Sequence, residues 1–228
     1  MRGIVLLFFL IMGMFSVNSQ IHEIGIFSGG SNYIGDVGAT DYINPNRLAL
    51  GVIYKWNKSS RYSYRASILF SRLAANDADS DIRSRQERGL EFSSDVTEFS
   101  IGMEFNFLPF NLHNFRKPFT PYIYGGISYL NHSDFFFQGN QVVDNGNRNT
   151  FAIPMTLGVK GKIGQHLVLG AEIGARYAFT DNLDGSNPDV SNNRDLRFGN
   201  IFSDDWYVFT GFTLTYTFGR RPCYYCYE

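Results

Sequence analysis

The sequence predicts an all-β fold, an eight-stranded antiparallel transmembrane β-barrel with long outer loops, short periplasmic turns and both termini in the periplasm. Three observations support this prediction: an N-terminal export signal, eight segments of alternating apolar and polar residues, and connections that alternate between long and short. The predicted barrel covers residues 20–218, and its predicted location is the cell outer membrane.

The N-terminal segment has the composition of an export signal. Arg2 precedes an apolar run over residues 4–15, and residues 17–19 (Val-Asn-Ser) suit a cleavage site. The run is shorter than the roughly 20 apolar residues that a spanning helix needs. We therefore expect residues 1–19 to be a signal peptide. No later stretch approaches the length of a spanning helix, so a membrane role requires a closed barrel.

Composition agrees with a membrane barrel. Aromatic residues make up 17% of the chain, with 22 Phe and 14 Tyr, and there are 23 Gly. Charged residues reach 18%, below the usual share of about 25%. The net charge of −1 argues against nucleic acid as a partner.

The first four predicted strands cover residues 23–30, 47–56, 61–71 and 98–107. The first is short, with Ile24 and Ile26 on one face. The other three alternate with the period of two that is typical of strands. Their apolar faces consist of Leu48, Leu50, Val52, Tyr54 and Trp56, of Tyr62, Tyr64, Ala66, Ile68 and Phe70, and of Phe99, Ile101, Met103, Phe105 and Phe107.

The last four predicted strands cover residues 122–130, 151–160, 169–179 and 206–218. The fifth strand overall is apolar on both faces, so alternation does not define its register. Pro154 lies inside the sixth, and because proline has no N–H to donate, we expect a local bulge there. The sixth to eighth strands have apolar faces of Phe151, Ile153, Met155, Leu157 and Val159, of Leu169, Ala171, Ile173, Ala175, Tyr177 and Phe179, and of Trp206, Val208, Thr210, Phe212, Leu214, Tyr216 and Phe218.

The connections form a second pattern. Long ones are expected near residues 31–46, 74–89, 131–149 and 181–204. Short ones are expected near 57–60 and 163–166, with one of intermediate length near 108–119. Outer-membrane barrels have short periplasmic turns and longer outer loops. With an even number of strands, both termini then lie in the periplasm.

Two barrel classes share this strand pattern and differ in which face points inward. A soluble barrel that holds a small apolar ligand would bury the apolar faces, whereas a membrane barrel turns them toward lipid. The polar faces here are mostly Gly, Ser, Thr and Ala with single charges, and aromatic residues gather near strand ends. Such small side chains fill the interior of an eight-stranded barrel, so the sequence favours the membrane barrel.

The predicted inward face carries seven charged residues. Charges that leave water must be paired, so we predict a network inside the lumen that plugs it; an open, conducting pore is the alternative. The predicted network joins Glu98, Glu104 and Glu172 to Arg65, Arg176 and Lys160, and Lys55 is the seventh inward charge.

No catalytic, cofactor or metal site is predicted, and the chain is not expected to be an enzyme. His132, Ser133 and Asp134 are adjacent in sequence, but adjacency is not the geometry of a catalytic triad. Residues 77–88 resemble a calcium loop in their aspartates. Ile82 stands where that loop requires Gly, and Arg88 stands where it requires Glu. We interpret this segment as a solvated outer loop.

A polar tail, residues 219–228, follows the last predicted strand. Under the predicted topology it lies in the periplasm, which is oxidising. Its cysteines, Cys223 and Cys226, are the two in the chain. They are predicted either to pair with each other or to form a mixed disulfide with a periplasmic partner.

Several motifs resemble the PorG-type outer-membrane barrel family of the type IX secretion system. The matching segments are residues 31–38 (Ser-Asn-Tyr-Ile-Gly-Asp-Val-Gly), 44–51 (Asn-Pro-Asn-Arg-Leu-Ala-Leu-Gly), 104–107 (Glu-Phe-Asn-Phe) and 120–122 (Thr-Pro-Tyr), together with Arg176, Phe179, Thr180, Asp181, Leu183 and Asp184.

The resemblance implies a non-enzymatic component of a protein secretion machine. Barrels of that family are associated with a periplasmic ring, formed by a lipoprotein and its partner, and tie it to the outer membrane. The expected partners are therefore outer-membrane lipid and the ring, with contact at the periplasmic turns and the cysteine tail. The alternative is a general small outer-membrane barrel, porin-like or lipid-modifying, that is unrelated to secretion.

Overall fold

Eight antiparallel strands form one closed barrel in the part of the chain that the structure describes. This computed structural model describes residues 21–112, 118–188, 194–200 and 203–219. Each strand pairs with its neighbours along the chain, and the last pairs with the first. The strands are β1 (Ile21–Ile34), β2 (Arg47–Asn57), β3 (Tyr62–Asn76), β4 (Glu91–Asn106), β5 (Phe119–Gln138), β6 (Gln141–Lys162), β7 (Leu167–Ala178) and β8 (Trp206–Phe218).

Closure is made between β1 and β8. Gly25 of β1 pairs with Ile53 of β2 on one side and with Thr215 of β8 on the other. A closed sheet leaves no free edge, so every strand can satisfy its backbone groups within lipid. The predicted fold class, an eight-stranded antiparallel barrel, is confirmed.

The apolar faces of the strands point outward. Ile26, Leu48 and Leu157 expose 55%, 66% and 62% of their surface, although the hydrophobic effect would bury them in a soluble protein. The small and charged faces point into the lumen. This arrangement excludes the soluble ligand-holding barrel. Closed barrels with an apolar exterior are the β-structures that span outer membranes, and the protein is an outer-membrane β-barrel.

The two ends of the barrel differ. What we call the turn end carries the connections at residues 58–61, 107–118 and 163–166. The loop end carries those at 35–46, 77–90, 139–140 and 179–205. His22 pairs with Phe218, so β1 begins and β8 ends together at the turn end. That this end faces the periplasm stays a prediction.

The long loop predicted over residues 131–149 is wrong. β5 and β6 continue through this segment and meet at a tight turn over residues 139–140, where Gly139 has a φ of 65°. The outer part of the hairpin leaves the β4 ladder, because Val96–His132 is the last pair between β4 and β5 although β4 continues to Glu91. Where a strand extends beyond the lipid, its outward face need not be apolar. The alternation of apolar and polar residues that identifies a membrane strand is therefore missing in this segment.

The bulge expected at Pro154 is also wrong. Between the pairs Gly125–Met155 and Ser128–Ala152 the β5–β6 ladder is interrupted, but its register does not change. The register shift lies farther out, between Ser133 and Phe135. Pro154 pairs in register with Arg176 on its other side, so the barrel accommodates the missing N–H by omitting pairs on one side only.

Short helices occupy two of the loop-end connections: Asp77–Asp79 and Arg83–Arg88 lie between β3 and β4, and Arg194–Leu196 precedes β8. None of the helices in the described ranges has the length and apolarity to cross a membrane. The predicted signal peptide, residues 1–19, lies outside the described residues, as do residues 220–228 with Cys223 and Cys226.

Candidate functional site: the charged lumen

Alternation along the strands places a set of charged side chains inside the barrel. Their chain neighbours face lipid, so these side chains must face the lumen. All are buried: Glu23 (β1), Lys55 (β2), Arg65 (β3), Glu98 and Glu104 (β4), Lys160 (β6), and Glu172 and Arg176 (β7).

Glu104 is the centre of the first part of this network. The Lys55 Nζ lies 2.8 Å from Oε2 of Glu104, and the Lys160 Nζ donates to its Oε1. Arg65 approaches the same carboxylate at 3.8 Å. Three cations from β2, β3 and β6 thus share one carboxylate from β4.

Arg65 makes its closest contacts with Glu172 on the far side of the lumen. Its two terminal nitrogens each donate to one carboxylate oxygen at 2.7 Å. This bidentate geometry is among the stronger ion-pair arrangements in proteins. The Tyr122 hydroxyl donates a third hydrogen bond to Glu172, at 2.5 Å. Through Arg65, the carboxylates of β4 and β7 are linked across the barrel.

Glu98 and Arg176 form a second, separate group. The Arg176 Nε lies 3.3 Å from the Glu98 Oε2, and the Tyr207 hydroxyl donates to the same oxygen at 2.6 Å. The guanidinium of Arg176 lies over the ring of Phe209, with its central carbon 4.6 Å from the ring centroid. Aromatic side chains therefore close the lumen around this pair.

The structure brings the six predicted network residues into two groups. Glu104 and Glu172 join Arg65 and Lys160, while Glu98 joins Arg176. Lys55, predicted to point inward, belongs to the first group.

Sequence analysis missed Glu23 and the tyrosines. Glu23 accepts hydrogen bonds from Thr215 at 2.6 Å and from Asn57 at 2.8 Å. Glu23 precedes Ile24, which faces lipid. Because successive strand residues point to opposite faces, this position could have identified Glu23 as a lumen residue. The same alternation applies to Tyr122, although the fifth strand looked apolar on both faces.

The lumen charges balance and exclude water. Four cations, Lys55, Arg65, Lys160 and Arg176, face four carboxylates, those of Glu23, Glu98, Glu104 and Glu172. Lys55, Glu104 and Lys160 are 0–1% exposed, so a water molecule cannot touch them. An aqueous path through the barrel would have to pass these side chains. Their arrangement can therefore seal the barrel at their level.

His132, Ser133 and Asp134 are not arranged as a catalytic triad. The His132 Nδ1 contacts the backbone carbonyl of Ser133. Asp134 is bound by Arg148, at 3.4 Å, and by the amides of Asn145 and Asn182, at 2.7 Å each. His132 and Asp134 are both buried, and Ser133 between them faces the other side of the strand.

The segment interpreted as a solvated loop is partly buried. Asp77 is fully buried and accepts two hydrogen bonds from Arg88, at 2.8 and 2.9 Å, together with backbone bonds from Gly38 and Leu90. Burial alone would raise the pKa of Asp77, but these hydrogen bonds outweigh it and hold the pKa below its ordinary value of 3.8. Within the described residues, no three side chains of the His, Cys, Asp and Glu types are grouped to hold a metal ion.

A family model described as a domain of unknown function matches residues 2–228, which is nearly the whole chain. The chain belongs to this family, DUF6089. A search of curated proteins gives no match.

The DUF6089 chain is similar in fold to small bacterial outer-membrane barrels. The N-terminal barrel of Pseudomonas aeruginosa OprF is 9% identical, with a TM-score of 0.47, covering 89% of this chain and 100% of that one. The Yersinia pestis attachment invasion locus protein Ail is 12% identical, with a TM-score of 0.47 and coverages of 88% and 100%. A major outer-membrane protein of Thermus thermophilus is 12% identical, with a TM-score of 0.48 and coverages of 88% and 100%.

A second polar cluster of the DUF6089 barrel lies at the loop end. The Tyr33 hydroxyl donates to the Oδ1 of Asp205, and the Leu183 N–H donates to its Oδ2 at 2.8 Å. Burial, followed by repulsion from Asp184, raises the pKa of Asp205. Burial, again reinforced by Asp184, raises the pKa of Asp181 to about 7. Carboxylates crowd here with no basic side chain paired to Asp181, Asp184 or Asp205 among the described residues.

Proposed function

We propose that this protein is a non-conducting, non-enzymatic outer-membrane component of the type IX secretion machine, anchoring a periplasmic ring complex to the membrane. The observation that carries the proposal is the sealed lumen. Lys55, Glu104 and Lys160 exclude water and leave neither a pore nor a substrate cleft at their level. A barrel sealed in this way is suited to be an anchor.

The secretion role is supported by the family-like segments and by where they meet. Two of them, residues 31–38 and 176–184, are far apart in sequence. At the loop end, Tyr33 from the first contacts Asp205, which in turn binds Leu183 from the second. These contacts hold the loop end together. If the family-like segments serve the loop end, the ring can bind at the opposite, turn end of the barrel.

The turn end is the proposed contact surface for the ring. Phe107, Leu108 and Ile163 are exposed there, and the chain leaves the barrel at the same end after Phe218. Residues 220–228, with both cysteines, continue from this point. Exposed apolar side chains suit the core of a protein contact.

Copurification tests the proposal. The tagged protein is isolated from its native outer membrane in mild detergent, and its partners are identified on gels run with and without reductant. We expect the ring lipoprotein and its partner in stoichiometric amounts. A reductant-sensitive adduct that disappears in Cys223→Ser/Cys226→Ser would locate the link at the tail.

Two matched variants locate the contact surface. Leu108→Asp at the turn end is expected to reduce ring recovery, because it places a charge in an apolar contact. Val142→Asp at the loop end adds the same charge to a similarly exposed side chain and is expected to leave recovery unchanged. Recovery of a folded barrel alone would remove the secretion role and leave a general outer-membrane barrel, to be assayed for conductance and lipid hydrolysis.

A further inference from the structure

The connections at the two ends of the barrel differ in charge. Those of the turn end, residues 58–61, 107–118 and 163–166, contain four Lys and Arg and no Asp or Glu. Those of the loop end contain twelve Asp and Glu against five Arg, and no Lys. A surface that carries one sign of charge attracts groups of the opposite sign, so the turn end is the end suited to anionic groups.

Lys58 and Arg61 are the exposed cations of the first turn-end connection. The Lys58 Nζ lies 5.5 Å from the ring centroid of Trp56, and the Arg61 guanidinium donates to the backbone carbonyl of Phe107. Among the ion pairs of the described residues, neither side chain contacts a carboxylate. A ring and a carbonyl do not neutralise a cation, so both side chains keep their full positive charge.

Aromatic side chains place these cations at the surface of the membrane. Trp56 packs against Tyr64, with 5.6 Å between the ring centroids, and Tyr64 is 47% exposed on the outward face. Girdles of aromatic residues mark the levels at which a barrel leaves lipid. Lys58 and Arg61 lie in the connection that joins the two strands of this girdle, and therefore at the depth of the lipid headgroups.

We propose that the turn end of the barrel binds the headgroups of anionic phospholipids in the leaflet that surrounds it. Lys and Arg donate strong hydrogen bonds to phosphate oxygens, and basic residues beside a membrane-spanning segment attract anionic lipid. This attraction acts over about 10 Å at moderate ionic strength, so it needs no single coordinating pocket. Phospholipid is the occupant because the cations stand next to lipid-facing rings. The inference does not depend on the secretion role.

The two tryptophans of the chain allow each end to be measured separately. Trp56 lies at the turn end, and Trp206, which begins β8 and packs against Tyr177, lies at the loop end. Lipids with brominated acyl chains quench the fluorescence of tryptophans that they touch. Trp206→Phe therefore reports on lipid at the turn end, and Trp56→Phe reports on lipid at the loop end.

Each single-tryptophan variant is folded into phosphatidylcholine vesicles that contain the same mole fraction of brominated phosphatidylglycerol or brominated phosphatidylcholine. Both leaflets of such a vesicle have the same composition, so the direction of insertion does not affect the readout. Around Trp56, we expect phosphatidylglycerol to be preferred at least about fivefold, the ratio that corresponds to about 1 kcal/mol for a basic residue near anionic lipid. Around Trp206 we expect no preference for phosphatidylglycerol.

The preference at Trp56 is expected to disappear in Lys58→Gln/Arg61→Gln and to decrease strongly in about 1 M NaCl, where charges are screened within about 3 Å. Equal quenching of Trp56 by the two lipids would overturn the proposal and leave the basic turn end to an acidic protein surface. A preference that persists in high salt would also overturn it, because electrostatic attraction could not be the cause.

The matched control is Arg47→Gln/Arg83→Gln, which removes two positive charges from exposed side chains at the loop end. It changes the net charge by the same amount and is expected to leave the preference at Trp56 unchanged. An equal loss in this control would show an effect of net charge and overturn the assignment to the turn end. Heat-modifiable migration on gels reports whether each variant is folded. If Lys58→Gln/Arg61→Gln does not fold, the salt dependence in Trp206→Phe decides.

Discussion

Glu104 is the single residue on which most of the first lumen group depends. Lys55 and Lys160 bind its two oxygens, and both lysines are buried. Removing one member of a buried ion pair leaves an uncompensated charge, which costs far more than the pair itself contributes. The importance of the network for stability is therefore measured by the loss of unfolding free energy when one member is deleted.

Glu104→Ala is expected to lower the free energy of unfolding by about 3–5 kcal/mol, the usual cost of breaking a buried pair. Urea-induced unfolding in detergent, followed by tryptophan fluorescence, measures the change. The matched control is Asp95→Ala, which breaks an exposed pair with Arg72 and is expected to cost at most about 1 kcal/mol. Equal losses in the two variants would contradict a special role for the buried group.

Asp77 links the stability of a loop-end segment to pH. Its folded pKa lies below the ordinary value of 3.8, because the hydrogen bonds from Arg88, Gly38 and Leu90 outweigh burial. The unfolded segment therefore binds a proton first as pH falls. The stabilisation is fully present above about pH 5 and is lost as pH falls through the folded pKa.

Hydrogen exchange of the Gly38 and Leu90 amides, which donate to Asp77, measures this dependence. After correction for intrinsic exchange rates, we expect their protection to decrease below about pH 4, the ordinary range of an aspartate. In Asp77→Asn protection is expected to be low at every pH. Acid-sensitive protection that persists in this variant would assign the effect to another group.

At the scale of the strands, close approach of neighbouring backbones depends on glycine. An added Cβ on Gly126 of β5 would lie 2.0 Å from the Ile101 carbonyl oxygen of β4. Backbone atoms cannot move aside as a side chain end can. The next residue, Gly125, points toward lipid, and its added Cβ would meet nothing closer than 3.8 Å.

Gly126→Ala is therefore expected to lower the free energy of unfolding by about 1–3 kcal/mol, as overpacking does. Gly125→Ala is expected to change it by no more than about 0.5 kcal/mol. The two variants add the same methyl group to adjacent residues, so a difference in urea midpoint isolates the backbone clash. Equal midpoints would contradict the tight β4–β5 contact.

The strands could be predicted from sequence wherever lipid lies on one side and the lumen on the other. Leu48 through Trp56 alternate because each outward residue must be apolar. The same reasoning failed for residues 131–149, most of which lie beyond the last β4–β5 pair, Val96–His132. There no side of the strands faces lipid, and the buried rings of Phe135 and Phe137 pack against loop-end side chains in addition to the ladder hydrogen bonds.

The residues of the charged lumen could be predicted, but their partners could not. Because side chains alternate between lipid and lumen along each strand, the sequence identifies which of them point inward. Which of them meet depends on the stagger of strands around the barrel, and Arg65 and Glu172 are 107 residues apart. The buried carboxylates of the loop end could not be predicted either, because Asp181 and Asp205 come together only when the connection over residues 179–205 folds back on itself.

At the scale of the whole molecule, the number of strands determines what the lumen can do. An eight-stranded barrel is just wide enough for side chains to fill its interior. Here the charged side chains carry equal numbers of positive and negative charges, and all of them except Glu23, which is hydrogen-bonded to Thr215 and Asn57, are ion-paired. A mobile ion entering the lumen would have to displace pairs whose members are withdrawn from water. The barrel should therefore be an electrical insulator.

Planar-bilayer recordings test this prediction. The wild-type barrel is expected to show no large, steady conductance, because Lys55, Glu104 and Lys160 exclude water from the lumen. Replacing all three with alanine removes both signs of charge from the first group, but Glu98, Arg176 and Phe209 still close the lumen. Conductance is therefore expected only when these three residues are also replaced with alanine in a variant that still folds. Steady conductance by the wild-type barrel would show that the lumen network opens in lipid, and it would remove the physical basis for a sealed anchor.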